Sequence, residues 1–285
     1  MRLRIGGVPE HFNLPWRRLL DSGPLAREGV DASWEDYPGG SGAMREALQA
    51  GRLDLGVLLT EGAVAGIANG GAFRIVSVYT ESPLLWGVHV PAGSAFRALD
   101  DVRGARYAIS RFGSGSHLMA FALAQQRGWP FDELRFVAVD DLDGAVRAFE
   151  RRTADVFLWE KFMTKPLVDS GRFRRVGEFG APWPAFVVAA SDSALATMSD
   201  AIARVLAAVL DAAAKFRADP GAAAEISRRF GLTQGDAAEW LQRTQWAGRV
   251  GFEAEALERA AALLQAAGLV PAGRIAPLTE ELGSA

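Results

Sequence analysis

The chain has 285 residues, with 31 Lys and Arg against 34 Asp and Glu, so its formal net charge is −3. It contains no cysteine, which excludes disulfide bonds, thiolate nucleophiles, and zinc or iron–sulfur sites with cysteine ligands. Hydrophobic residues make up 49% and charged residues 23% of the chain, as in ordinary globular proteins. The slight excess of acidic residues gives no electrostatic reason to expect a nucleic acid partner.

The N-terminal segment predicts a strand and a turn. A secretion signal would have a basic stretch, about 7–15 apolar residues and a small-residue cleavage site; here residues 3–9 read Leu-Arg-Ile-Gly-Gly-Val-Pro. No run reaches the roughly 18 apolar residues that a membrane span needs. We therefore expect no membrane insertion. We expect a cytoplasmic location for the chain as given, or a periplasmic one if a signal has been removed.

Strands and helices alternate along the first part of the chain. The predicted helices are residues 14–27, 43–50 and 61–69, and the predicted strands are residues 3–8, 30–37, 54–60, 73–79 and 85–90. The run Asp-Leu-Gly-Val-Leu-Leu-Thr at 54–60 is typical of a parallel strand that is buried on both faces. Ser41 is expected to cap the helix at 43–50, and Gly51 to end it.

The same rhythm then starts again, and the chain ends in helices. Predicted helices of the second run are residues 118–127, 142–151 and 165–170, and its strands are 106–110, 135–139, 154–159, 173–179 and 186–190. Helices are then predicted at 193–217, 222–230, 234–244 and 253–267, followed by a tail. Repeated βα units predict an α/β fold with mostly parallel sheets, and two successive runs predict two α/β lobes.

Common cofactor and nucleophile motifs are absent from the sequence. The phosphate-binding pattern G-x-x-x-x-G-K-[ST] does not occur, and residues 39–43 end in Ala where a nucleophile elbow needs Gly. The three histidines, His11, His89 and His117, lie far apart in sequence. We therefore expect no cofactor and no metal site.

Two glycine- and serine-rich loops, residues 38–42 and 113–117, each follow a strand and open a helix. Backbone N–H groups and serine hydroxyls at a helix N-terminus can hold an anionic or polar group. The alternative is that Ser41 and Ser116 serve only as helix caps. Because one such loop occurs in each run, we favour a ligand bound beyond the carboxyl ends of the strands.

Other polar and aromatic residues also fall at predicted strand ends, namely Glu10, His11, Thr60, Glu61, Glu81, Ser82, His89, Trp159, Glu160 and Lys161. Each has a structural alternative. Glu61 can interact favourably with the helix dipole, Trp159 can be a core residue, and His89 can be hydrogen-bonded inside an apolar strand.

Several stretches together form a recognisable pattern. They are residues 3–9, 41–48, 51–56, 60–62, 82–89, 99–104, 110–117 and 154–157, which include Ser-Gly-Ala-Met-Arg-Glu-Ala-Leu and Ser-Arg-Phe-Gly-Ser-Gly-Ser-His. This pattern resembles type II periplasmic-binding-protein-like chains. It is most similar to the nitrate/sulfonate/taurine-type solute-binding proteins and their thiamine-pyrimidine-precursor-binding relatives.

The resemblance implies two lobes joined by a two-strand hinge, with a small ligand trapped in the cleft between them. Lobe one would be residues 1–87 plus 187–285, with the C-terminal helices, and lobe two residues 88–186. The implied ligand contacts are His11, Gly40, Ser41, Gly42, Thr60, Glu61, Ser82, Trp86, His89, Ser114, Gly115, Ser116, His117, Trp159 and Glu160. Trp86 or Trp159 would stack on a ring of the ligand.

The resulting functional prediction is non-catalytic binding of a small polar organic ligand, a sulfonate-like anion or a pyrimidine-like heterocycle. The protein would act as a monomeric solute-binding protein with the permease of an ABC transporter as partner. The mixed carboxylates and histidines favour a zwitterionic or heteroaromatic ligand over a simple anion. The lack of cysteine argues against the fungal pyrimidine synthases, which the resemblance links to a cysteine-rich motif.

Two alternatives remain. One is a cytosolic enzyme of the menaquinone-precursor type, with His117 or His89 as general base. The other is a cytosolic metabolite sensor whose helical C-terminal region contacts a partner protein.

Overall fold

The structure, a computed structural model, describes residues 2–23, 25, 29–272 and 277–282. The chain divides into two compact units. Unit 1 is Met1–Ser82 with Trp183–Ala285, and unit 2 is Pro83–Pro182. Each unit is built on one five-stranded sheet. The predicted lobe boundaries near residues 87 and 187, and the cleft, stay predictions.

The first segment of unit 1 supplies strands and helices in alternation. They are β1 (Arg2–Gly7), α1 (Leu14–Ser22), β2 (Asp31–Asp36), α2 (Gly40–Gln49), β3 (Leu55–Leu59), α3 (Thr60–Ala68) and β4 (Phe73–Thr80). Helix α1 ends at Ser22 because Gly23 has a φ of 70°, a left-handed conformation that favours glycine. The predicted helical end at Arg27 lies outside the described residues.

Unit 2 is a single continuous segment of chain. Its elements are β5 (Leu85–Pro91), β6 (Arg106–Ile109), α4 (Gly115–Arg127), β7 (Arg135–Ala138), α5 (Leu142–Glu150), β8 (Val156–Glu160), α6 (Lys165–Asp169) and β9 (Phe173–Gly180). Phe149, Phe157 and Phe173 are buried together in its core, where the rings of Phe149 and Phe173 are 4.9 Å apart.

The chain then completes unit 1. The returning elements are β10 (Phe186–Ser191), α7 (Asp192–Ala218), α8 (Ala222–Phe230), α9 (Gln234–Arg243) and α10 (Ala254–Ala266). Among the described residues, α7 has the length and the apolar composition of a membrane span. Core helices of globular proteins meet the same criteria. In α7 the apolar stripe that contains Ile202, Val205 and Val209 is buried within unit 1.

Both sheets are mixed: in each, four strands run in one direction, in line with the prediction of mostly parallel sheets, and one strand runs against them. The strand orders are β2-β1-β3-β10-β4 and β7-β6-β8-β5-β9, and β10 and β5 are antiparallel to both of their neighbours. The reason is where the chain leaves and returns. The chain leaves unit 1 at the C-terminal end of β4 and re-enters at that same end. The first residue of β10, Phe186, therefore pairs with the last residue of β4, Thr80, and β10 runs antiparallel to β4.

An arginine–aspartate fork fixes the register of the central strands in each sheet. In unit 1, Nε and Nη2 of Arg4 donate to the two carboxylate oxygens of Asp54 at 2.9 and 2.6 Å, and the Arg4 backbone N–H donates at 2.8 Å. In unit 2, Arg106 makes the same three bonds to Asp155 at 2.8, 2.8 and 3.0 Å. The hydrogen bonds from Arg106 hold the pKa of the Asp155 carboxyl below its usual value.

The free edge of β4 is covered by later parts of the chain. Ala247 N–H donates to the carbonyl of Tyr79, and Val78 N–H donates to the carbonyl of Gly251. Residues 278–280 also pair there, where Thr279 forms a parallel bridge with Ile75. Part of the predicted tail therefore pairs with the unit 1 sheet, whereas residues 273–276 and 283–285 lie outside the described ones.

The two forks have the same geometry but different exposure, which generates a prediction. The Asp54 side chain is 6% exposed and the Asp155 side chain 27%. We expect Asp54→Ala to lower the free energy of unfolding by roughly 2–4 kcal/mol, because it leaves a backbone N–H and a guanidinium without their acceptor. Asp155→Ala should cost less, because water can replace its carboxylate. Urea-induced unfolding of both variants measures this, and equal losses would contradict it.

Candidate functional site

The carboxyl ends of β1, β2 and β3 lie at one edge of the unit 1 sheet, because these strands are parallel. Loop 38–42 follows β2, and Thr60 and Glu61 follow β3 as the first residues of α3. The structure therefore brings loop 38–42 together with Thr60 and Glu61 at this edge, as the sequence predicts for these ligand contacts. We call Thr60, Glu61 and the segment 183–184 that contacts them the Glu61 site.

Loop 38–42 differs from its prediction. Helix α2 begins at Gly40, so Ser41 lies inside the helix, and the N-cap position is occupied by Gly39, which makes no side-chain cap bond. The predicted capping role of Ser41 was wrong, because its Oγ accepts a hydrogen bond from the backbone N–H of Leu59 at 3.0 Å. The serine thus ties the start of α2 to the end of β3. Gly42 is buried and Gly40 is half-buried.

Glu61 is the most unusual residue of the Glu61 site. Its side chain is 2% exposed, and Oε2 accepts a hydrogen bond from Nε1 of Trp183 at 2.8 Å. Oε1 is buried without a hydrogen-bond partner among the described residues. Burial raises the pKa of the Glu61 carboxyl to about 7, although hydrogen bonds from its own backbone N–H and from Trp183 act in the opposite direction.

Thr60 and Ser82 hold the returning chain against the end of β3. The Thr60 hydroxyl donates to the carbonyl of Pro184 at 2.5 Å, and its backbone N–H donates to the carbonyl of Ala185 at 3.2 Å. Ser82 accepts the N–H of Ala185 through its carbonyl, and its Oγ accepts the N–H of Gln245 at 3.0 Å. These contacts position Trp183 beside Glu61. Their role toward a ligand stays a prediction.

His11 lies in an aromatic cluster of unit 1. Its side chain is fully buried, with ring centroids 4.3 Å from Trp240, 5.0 Å from Phe12 and 5.3 Å from Phe230. Burial lowers the pKa of His11 to about 3, so the imidazole is neutral at ordinary pH. Because α8 and α9 supply two of these rings, the helical C-terminal region encloses the residue that was predicted to contact the ligand.

In unit 2 the loop 113–117 opens helix α4, which begins at Gly115 with Ser114 as its N-cap. The proposed capping role of Ser116 was therefore wrong. Its Oγ accepts the backbone N–H of Ser110 at 3.0 Å and lies 3.1 Å from Oγ of Ser114. Ser114 and Ser116 are buried and Gly115 is half-buried. The serines thus shape the turn that presents the N-terminus of α4.

His117 faces the aromatic side of the same loop. Its Nδ1 accepts the N–H of Gly113 at 3.1 Å, and its ring lies 4.6 Å from Phe136 and 5.2 Å from Phe112. Burial lowers the pKa of His117 to about 4. Phe112 is 67% exposed. Phe112 is not among the ligand contacts predicted above, although an aromatic residue between Arg and Gly in a turn is a usable signal.

His89 is a structural residue inside the unit 2 sheet. Its Nδ1 lies 3.2 Å from the carbonyl oxygen of Phe157 and its Nε2 lies 2.8 Å from Oγ1 of Thr164, so both ring nitrogens have partners. Burial lowers its pKa to about 3. His89 is thus hydrogen-bonded inside an apolar strand, as the alternative in the sequence analysis has it. Neither ring nitrogen is left to contact a ligand.

The remaining predicted contacts lie at the edge where β5 begins and β8 ends. Trp86 is buried and pairs with Glu160 across the two strands. Oε2 of Glu160 accepts the backbone N–H groups of Phe162 and Met163 at 2.8 and 2.6 Å, which fixes the turn after β8. Trp159 is half-buried and stacks on Phe157 at 5.1 Å. Whether these residues contact a ligand stays a prediction.

Possible metal-ligand groups and cavities were also compared with the predicted ligand contacts of the two units. No group of three His, Asp or Glu side chains within the described part of the chain is placed to hold a metal ion. A cavity of about 580 Å³ lies between α1 and α7, lined among others by Arg18, Arg204 and Phe216. None of the predicted ligand contacts lines this cavity.

Comparison with solved structures addresses the fold. The structure of the CA3427 gene product of Candida albicans, described as defining a family with the generic periplasmic binding protein fold, superposes with a TM-score of 0.90. The two chains are 26% identical, and the match covers 96% of this chain and 92% of the other. This chain has the periplasmic binding protein fold. A model of Ca3427-like periplasmic binding proteins also matches residues 87–179.

Sulfonate-binding proteins are among the relatives. The alkanesulfonate-binding protein SsuA of Xanthomonas axonopodis pv. citri, solved bound to MOPS, shares the fold with a TM-score of 0.79 at 20% identity, covering 95% of this chain and 94% of that one. A protein of Escherichia coli K12 named for the binding of aliphatic sulfonates is 26% identical over 140 residues. That match covers 49% of this chain and 43% of the relative, less than half of either. The resemblance to type II periplasmic binding proteins with sulfonate-type relatives is confirmed.

The buried carboxyl of Glu61 predicts a pH-dependent stability. Its folded pKa of about 7 lies above the unfolded value, so between about pH 4.5 and pH 7 the folded state binds the proton more tightly. The contribution of the Glu61 carboxyl to the free energy of unfolding is therefore complete below about pH 4.5 and is lost as the pH rises to about 7. We expect Glu61→Gln to remove this loss, so that the variant gains about 3 kcal/mol relative to wild type between pH 4 and pH 8.

Urea-induced unfolding of both proteins across this pH range measures the difference. Gln retains an oxygen that can accept the N–H of Trp183, which makes it a conservative replacement. A difference in the free energy of unfolding that does not change with pH would contradict the prediction.

Proposed function

We propose that the protein binds a small polar organic molecule without transforming it, and that this molecule carries a sulfonate-like group or a pyrimidine-like ring. The observation that carries the proposal is the similarity, over 140 residues, to a protein named for the binding of aliphatic sulfonates. The shared fold with an alkanesulfonate-binding protein that was solved bound to MOPS supports the same ligand class.

The unit 2 loop is the proposed contact for the anionic part of the ligand. It places the N-terminus of α4, a helix of 13 residues, beyond a strand end, and helix N-termini attract anions through their free N–H groups and the helix dipole. The exposed ring of Phe112 beside it supplies an apolar surface. An aliphatic chain or a planar ring could pack there next to the charged group.

The histidines support binding over general-base catalysis. A general base works best when its pKa lies near the operating pH. Burial lowers the pKa of His117 to about 4 and that of His89 to about 3. His89 also has partners for both ring nitrogens. These properties favour the non-catalytic proposal over the menaquinone-precursor-type enzyme.

We propose the permease of an ABC transporter as the partner and a monomer as the active form, since relatives of this chain are solute-binding proteins of such systems. This role requires delivery to the periplasm. The metabolite-sensor alternative requires a cytoplasmic protein and a partner that binds only in the presence of ligand.

Ligand-dependent stabilisation tests the binding proposal. We expect at least one member of a panel of 1-propanesulfonate, MOPS, nitrate and 4-aminopyrimidine to raise the melting temperature. A ligand at 100 times its dissociation constant should add ~2.7 kcal/mol to the free energy of unfolding. Differential scanning fluorimetry over a concentration series measures the effect, and sodium chloride at matched ionic strength is the control. The absence of a shift with every compound would contradict the proposal.

The non-catalytic part of the proposal has its own test. We expect any compound that stabilises the protein to be recovered chemically unchanged after prolonged incubation, as judged by mass spectrometry. His117→Gln should leave this result as it is. Turnover by the wild type that is lost in His117→Gln would instead favour the general-base enzyme.

A further inference from the structure

The side of α7 that faces away from the core of unit 1 carries an ordered pattern of charges. The buried stripe of the helix contains Ile202, Val205 and Val209. On the opposite side, residues spaced three or four positions apart form a second stripe. This outer stripe consists of Asp200, Arg204, Ala207, Ala208, Asp211 and Lys215. Its residues are exposed, apart from Ala208, which is half-buried. The outer stripe therefore lies on the surface of unit 1.

The charges of the outer stripe are only partly paired within the chain. Lys215 lies 2.6 Å from Asp211, but the two side chains are 77% and 62% exposed. An exposed ion pair of this kind contributes little to stability, because water competes for both groups. Asp200 and Arg204 form no ion pair with any residue that the structure describes. These charged groups are thus available to a partner on another molecule.

The order of charges along the outer stripe is self-complementary. From its N-terminal end the order is acidic, basic, small, small, acidic and basic. In an antiparallel helix pair with a two-fold axis between Ala207 and Ala208, residues equally far from the axis face each other. Arg204 then faces Asp211 of the second copy. The acidic residue at the start of the outer stripe likewise faces the basic residue at its end. Every contact occurs twice by symmetry, and no like charges meet.

The centre of the outer stripe suits close packing of two helices. Interaxial distances of packed helices are about 8–10 Å and depend on the side chains at the contact, so alanines favour the short end of this range. Arg204 and Asp211 flank the two alanines and are long enough to reach across at such a distance. A parallel pair in register would instead place Arg204 against Arg204 of the second copy, which is repulsive. The pattern therefore favours the antiparallel direction.

We propose that the outer stripe of α7 binds a second copy of this chain, in an antiparallel helix pair whose two-fold axis passes between Ala207 and Ala208. The inference goes beyond the proposed function, because none of the predicted ligand contacts lies on α7. One helix from each copy makes a small interface, so we expect a dissociation constant of roughly 10–500 µM. At lower concentrations the pair returns to the monomer that is proposed above as the active form.

Sedimentation velocity of the full chain over roughly 5–500 µM protein tests the pairing. We expect the wild type to form more dimer as its concentration rises, and less dimer at high ionic strength. Arg204→Asp and Asp211→Arg each place like charges opposite each other twice in the pair. Each variant should therefore raise the dissociation constant about tenfold or more. Both positions are exposed, so we expect the variants to fold, and thermal unfolding checks this.

Mixing the two variants tests the direction and the register of the pair. In a mixed pair the new acidic group of Arg204→Asp faces the new basic group of Asp211→Arg. At the symmetry-related contact the native Asp211 of the first chain faces the native Arg204 of the second. We therefore expect an equimolar mixture to form a dimer at a concentration at which each variant alone is monomeric. The double variant, which exchanges the two charges, should also form a dimer with itself.

Arg217→Asp is the control variant, because it makes the same change in net charge at an exposed position of α7 outside the outer stripe. It should keep the dissociation constant of the wild type. A wild type that stays monomeric over the whole range overturns the inference, and the outer stripe then faces solvent or a different protein. A dimer that survives both single variants, an equal loss in Arg217→Asp, or a mixture that stays monomeric also overturns it. The ligand panel tests the proposed function separately, so these outcomes leave that function standing.

Discussion

The arginine–aspartate fork at the start of each sheet is the contact on which the rest of each unit depends. Arg4 and Asp54, like Arg106 and Asp155, join two neighbouring parallel strands through backbone and side-chain bonds at once. Since side chains alternate along a strand, a slip of one residue would exchange the buried and outer faces. The fork excludes that slip, and it thereby sets which residues emerge at the carboxyl edge of each sheet.

Local pattern was sufficient for most elements but not for the direction of two strands. The apolar run at 54–60 predicts a buried strand, and β3 is Leu55–Leu59. The strands β5 and β10 are equally apolar, and alternation reads the same in either direction. What makes them antiparallel is the point at which the chain crosses between units, a property of the whole topology. The predicted capping role of Ser41 was wrong for a related reason. Its hydroxyl, which a local rule assigns to helix capping, instead accepts the backbone N–H of Leu59, 18 residues away.

The candidate site shows the same limit. Because Glu61 follows a predicted strand, its location at the sheet edge could be predicted correctly. Its hydrogen-bond partner Trp183 is 122 residues away in sequence, and no local pattern indicates that contact. Strand-end position also selected His11, without any sign that Phe230 and Trp240 from the distant C-terminal helices would enclose it. For His89 the hydrophobic residues of its own strand were the better guide, since they indicate burial.

The late pairing of β4 has a consequence for the order in which the protein can assemble during synthesis. Residues 73–80 are made early, but one neighbour, β10, comes from residues 186–191, and the cover of the other edge comes from residues 247–251 and 278–280. Unit 2 is continuous and can close first. Until those later residues have been synthesised, unit 1 exposes an unpaired, apolar strand with which another nascent chain could pair, so chaperone protection is most useful during this interval.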